Sequence, residues 1–91
     1  MAAVKSSGNV FADLGFDAEE AENLKLRSQL MIEVDKALIE QKLTQQAAAK
    51  ALGISQPRVS DLIRGKAEKF TIDALVNILT KLGHTVTMRI S

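Results

Sequence analysis

Gln56, Arg58, Ser60 and Arg64 stand at short intervals in SQPRVSDLIRGK, and their side chains carry the groups that read nucleobases. A glutamine carboxamide bonds adenine bidentately, an arginine fork does the same for guanine, and a serine hydroxyl serves either. Asp61 is a weaker candidate of the same kind. Upstream, Thr44 and Gln45 offer what a phosphate oxygen accepts from: side-chain donors and the unpaired backbone N–H groups of a helix start. Ser55, at the head of the second run, is grouped with them, while Arg64 and Lys66, with Lys69 beyond, place cations for the backbone of the other strand. These residues make a set for double-stranded DNA: Thr44, Gln45, Ser55, Gln56, Arg58, Ser60, Arg64 and Lys66.

No comparable set supports catalysis. His84 is the single histidine, beside a glycine turn and without an evident titratable partner, and the glycines form no phosphate-cradling loop. Asp17, Glu19, Glu20 and Glu22 crowd together, but carboxylates there oppose the positive end of a helix dipole. No compact ligand set with a turn glycine accompanies them. The expectation is therefore a binding protein and no enzyme, with no catalytic residue, cofactor, metal or small-molecule substrate.

Such side chains need a scaffold, and 91 residues allow one small domain. Hydrophobic content of 46% with only 3% aromatics suits an all-α core of Ala, Leu, Ile and Val. The chain has no cysteine, which fits a reducing cytoplasm, and no apolar run approaches the ~20 residues that cross a membrane. The net charge is only +1, yet residues 1–40 carry four bases against eight acids and residues 41–91 eight bases against three acids. That asymmetry suits a basic face for nucleic acid and an acidic segment for something else.

Periodicity divides the chain further. Residues 17–41 read as a helix with Leu26, Leu30, Met31, Val34, Ala37 and Leu38 on one broad face and Ile32 and Ile39 nearly opposite. A helix apolar on both sides needs two partners, so Ile32 and Ile39 are expected to meet either the NVFADLGF arm or another chain. Thr44 caps a helix to about Leu52, which Gly53 ends, and Thr71 caps another that stops at Gly83, with Phe70 and Leu75 as its hydrophobic staple. In the last residues Val86, Met88 and Ile90 alternate with Thr85, Thr87 and Arg89, a strand pattern that needs a mate from a second copy.

Thr44–Leu52, the turn at Gly53–Ile54 and Ser55–Arg64 then form a helix-turn-helix. Ala49 is small where the helices cross, Ile54 plugs the core, and Val59 and Leu62 anchor the second helix, leaving its other face free. Pro57 starts that helix instead of breaking it, since first-turn N–H groups have no intrahelical partner to lose. Either Ser55 is the cap and Pro57 the second helical residue, or Gln56 is the cap and Pro57 the first.

LTQQAAAKALGISQPRVSDLIRGK resembles the DNA-binding core of the lambda-repressor/Cro-like (XRE-type) family, over about residues 30–82. The resemblance implies a four- to five-helix domain in which Gln45, Gln56, Arg58 and Ser60 match DNA-reading positions, and Pro57 replaces a small polar residue. The flanks GNVFADLGFDAEEAENLKLRSQLM and LGHTVTMRIS resemble those of HigA-type antitoxins. That likeness implies a cognate toxin, a RelE/HigB-like mRNA endonuclease, and repression of the shared operon by a homodimer on operator DNA. A stand-alone repressor of phage or metabolic origin is the alternative. The expected organisation is a partly disordered arm over 1–16, a helix-turn-helix domain over 17–84 and a C-terminal β-strand over 85–91, paired across the dimer.

Overall fold

Asp17 begins the longest element. Its carboxylate accepts the Glu20 N–H at 2.8 Å, and the helix that follows spans Ala18–Glu40. In the computed structural model, which describes residues 10–91, it is the second of five α-helices. They are α1 (Val10–Asp13), α2 (Ala18–Glu40), α3 (Gln45–Leu52), α4 (Gln56–Ile63) and α5 (Ile72–Lys81), with a single 3-10 turn over Ala67–Lys69 between the last two. Thr44 and Thr71 cap α3 and α5 as their side-chain chemistry requires, each hydroxyl oxygen accepting an N–H three residues on at 3.1 Å.

The core is aliphatic. Leu30, Met31, Val34, Ala37 and Leu38 of α2 pack with Leu52, Val59, Leu62, Leu75, Ile78 and Leu79, and Phe70 is the one aromatic ring fully inside. Both residues of the α5 staple, Phe70 and Leu75, are buried, so they fix the angle at which the chain enters that helix. Two side chains tie elements end to end. Gln41 donates to the Leu82 carbonyl at 2.8 Å, and the Lys81 ammonium donates to the Leu52 carbonyl at 3.0 Å, satisfying a free acceptor at the end of α3.

Four features differ from the sequence-based picture or extend it. Residues 84–91 form no strand, and Val86, Met88 and Ile90 are exposed. A ladder needs a second extended segment, and the described residues of the single chain offer none. Of the stretch assigned to the arm, residues 10–13 form α1, Phe11 packs against the core and meets Phe16 edge to face at 6.1 Å, and residues 1–9 lie outside the described part. The described residues do not cover Ile32 and Ile39, which stay 54% and 68% exposed. Finally, the 3-10 turn occupies what reads in sequence as a plain link between α4 and Thr71.

Candidate nucleic-acid interface

Gly53 turns the chain between the two helices of the motif. It takes φ 70°, where a side chain would be strained, and Ile54 N–H returns to the Ala49 carbonyl at 3.1 Å. Ala49 is buried at this crossing, and Ile54 packs against the core that holds Val59. Ser55 is the cap of α4: its hydroxyl oxygen accepts the Arg58 N–H at 3.4 Å, Gln56 is the first helical residue and Pro57 the second. Of the two registers open in the sequence, the first is the one adopted.

Val59 and Leu62, both essentially inaccessible, bury one side of α4. The other side presents Gln56 and Arg64 exposed and Ser60 half-buried. Gln56 stands at the leading end, the position from which a groove-bound helix reaches base edges. Thr44 and Gln45 stand exposed at the start of α3. The hydroxyl oxygens of Thr44 and Ser55 accept capping bonds, and their O–H groups remain able to donate to a phosphate.

Arg58 is placed differently from its neighbours. Its guanidinium lies 4.1 Å from the centroid of the Phe70 ring, and Nη1 donates to the Lys69 carbonyl at 3.0 Å. Reading a base would require it to leave both partners. Asp61, the weaker candidate, pairs with Lys69 at 3.7 Å. Lys66 is half-buried beside Gly65 at the far end of α4.

Sequence reasoning missed Arg27. From α2 its Nη1 donates to the carbonyls of Ala67 and Phe70, each at 3.1 Å, while Nε donates to Asn23 Oδ1 at 2.6 Å. The i, i+4 spacing of Asn23 and Arg27 was a visible signal of the last bond. The two carbonyls, some forty residues downstream, leave no trace in the sequence. Among the described residues no three His, Asp or Glu side chains gather as metal ligands, and no helix is long and apolar enough to cross a membrane.

Comparison with known proteins agrees with this geometry. The model of a helix-turn-helix domain family matches residues 10–91. A solved structure named for the XRE family of transcriptional regulators superposes with a TM-score of 0.74 at 33% identity, over 79% of this chain and 81% of that one. No curated protein matches.

Proposed function

The chain belongs to the helix-turn-helix domain family and to its XRE-type, DNA-binding transcriptional regulators, and from that premise we propose that it is the antitoxin of a toxin–antitoxin pair. It represses its own operon as a homodimer, setting two α4 helices about 34 Å apart in successive major grooves of a palindromic operator. It performs no catalysis and acts in the cytoplasm. Gln56 and Ser60 read bases; Thr44, Gln45, Ser55, Arg64, Lys66 and Lys69 meet phosphates, Lys69 by leaving its pair with Asp61.

One observation carries the antitoxin reading. Ile32 and Ile39 are exposed on α2, and Ile32 lies beside Ile63, also exposed, at the seam with α4. Glu33, Asp35 and Glu40 stand around them together with Lys36, which pairs with Glu33 at 3.5 Å, so the border is net acidic, in the half of the chain that carries the excess of acids. An apolar ridge with an acidic border suits a basic protein, which a nuclease that grips mRNA must be. The partner is therefore a RelE/HigB-like mRNA endonuclease encoded next to this chain. Co-expression tests this: the chain restores growth to cells producing the neighbouring gene product, and the I32D/I39D variant does not, although it still shifts operator DNA. Rescue by the double variant would remove the ridge from the reading.

The homodimer rests on residues 84–91, where Val86, Met88 and Ile90 can share one face of an extended segment and pair with the same segment of a second copy. A chain ending at Gly83 should sediment as a monomer at concentrations where the full chain is a dimer. An undiminished dimer would count against the strand.

A further inference from the structure

Between Gly65 and Thr71 the 3-10 turn gives the Lys66 and Ala67 carbonyls backbone partners and leaves those of Lys69 and Phe70 to find theirs elsewhere. Two arginines provide them from opposite sides. Arg27, on α2, donates to the Ala67 and Phe70 carbonyls, and Arg58, on α4, donates to the Lys69 carbonyl while stacking on the Phe70 ring. Phe70 is 2% exposed, which pins the segment at its end. Lys66 and Lys69, the cations offered to the DNA backbone, are carried by the stretch held this way.

We propose that Arg27 and Arg58 form a bracket that holds residues 66–70 in register with α4, so that both are positioning residues for phosphate contacts and neither reads a base. Arg27 serves two carbonyls from Nη1 while Nε of the same rigid plane bonds Asn23, and the planar Arg58 cation lies on an aromatic face; a lysine, with a single nitrogen and no plane, reproduces neither arrangement. The Arg27 contribution is further fixed by Asn23, which accepts from Nε and so sets the rotation of the fork. A bracket built from α2 and α4 ties the phosphate-contacting segment to both the core helix and the recognition helix. This inference rests on the DNA-binding reading of α4.

The test uses the full chain and two readouts. In the free protein, R27M and R58M should speed hydrogen exchange at Lys69 and Phe70 N–H, which bond back to the Lys66 and Ala67 carbonyls, while exchange in α2 and α5 stays slow. Unchanged exchange at both amides would overturn the bracket whatever the protein does to DNA. On operator DNA, each variant should weaken binding several-fold, equally for every single-base operator change, and lower the slope of log affinity against log salt by about one. R27M added to K66A/K69A should cost nothing further, because the cations it positions are gone. An equal loss in that background, or an R58M defect confined to one base pair, would overturn the proposal. Should R27M fold poorly, N23A, which leaves the Arg27 charge and both carbonyls in place, should move both readouts the same way by less, and no movement would count against it. Wild-type chain that binds no operator but loses protection at Lys69 and Phe70 on R27M substitution would sink the DNA assignment of the segment and leave the bracket standing.

Discussion

Replacing Leu75 with alanine should cost the domain about 2–5 kcal/mol, read as a fall in the thermal midpoint followed by circular dichroism. Leu75 is 0% exposed, at the fourth position of α5, and packs in the same cluster as Leu52, Val59, Leu62 and Phe70. Truncating it removes a transfer free energy and leaves a cavity in the core where α5 packs against α2 and α3, so the surroundings cannot collapse without moving those helices. A domain of this length has only about 5–15 kcal/mol of net stability, and each kcal/mol is worth roughly 4–8 °C, so the shift amounts to tens of degrees at the upper end. The same substitution at Ile39, 68% exposed, should shift the midpoint far less, and comparable shifts at the two sites would contradict the core assignment. Operator binding should fail together with the fold in the Leu75 variant, although Leu75 touches no part of α4's outer face.

Local rules explain why so much of the helical frame could be read in advance. Thr44, Ser55 and Thr71 are caps, Gly53 is a turn that needs a positive φ, and the burial of α2 follows its 3.6-residue period, although Asp17 proves to be the cap of α2 and not its first residue. Each of these is decided by a residue and its neighbours within one turn, which is information a single sequence holds. What escaped depends on distant chain. Arg58 has the type and spacing of a base reader, and only the position of Phe70 after the 3-10 turn reveals that it is engaged elsewhere. Arg27 went unremarked because its acceptors are backbone carbonyls, which every residue carries and no pattern marks. The C-terminal alternation, expected as a strand paired with a second copy, is no strand in the single chain for a related reason: period-two patterning states which side chains could share a face, and pairing requires another extended segment.

Salt should separate the two kinds of contact at the interface. In the proposed dimer, Arg64, Lys66 and Lys69 of each copy give about six cations against phosphate, so operator affinity should fall roughly a thousandfold between about 50 and about 200 mM monovalent salt. Each neutralised phosphate releases condensed counterions, and the entropy of that release shrinks as bulk salt rises; the effect depends on the number of contacts and not on sequence. Gln56 is uncharged, exposed and first in α4, so it contributes through base edges alone. Gln56→Ala should cost about 1–3 kcal/mol on the preferred operator and relax one base position in each half-site while leaving the salt slope unchanged. Lys66→Ala should do the reverse, lowering the slope by about one and weakening all sequences alike. Fluorescence anisotropy titrations of the three proteins at four salt concentrations, against the operator and its single-base variants, resolve both quantities. A Gln56 variant that lowers the slope, or a Lys66 variant with a base preference of its own, would exchange their roles and place the leading end of α4 on the backbone instead of in the groove.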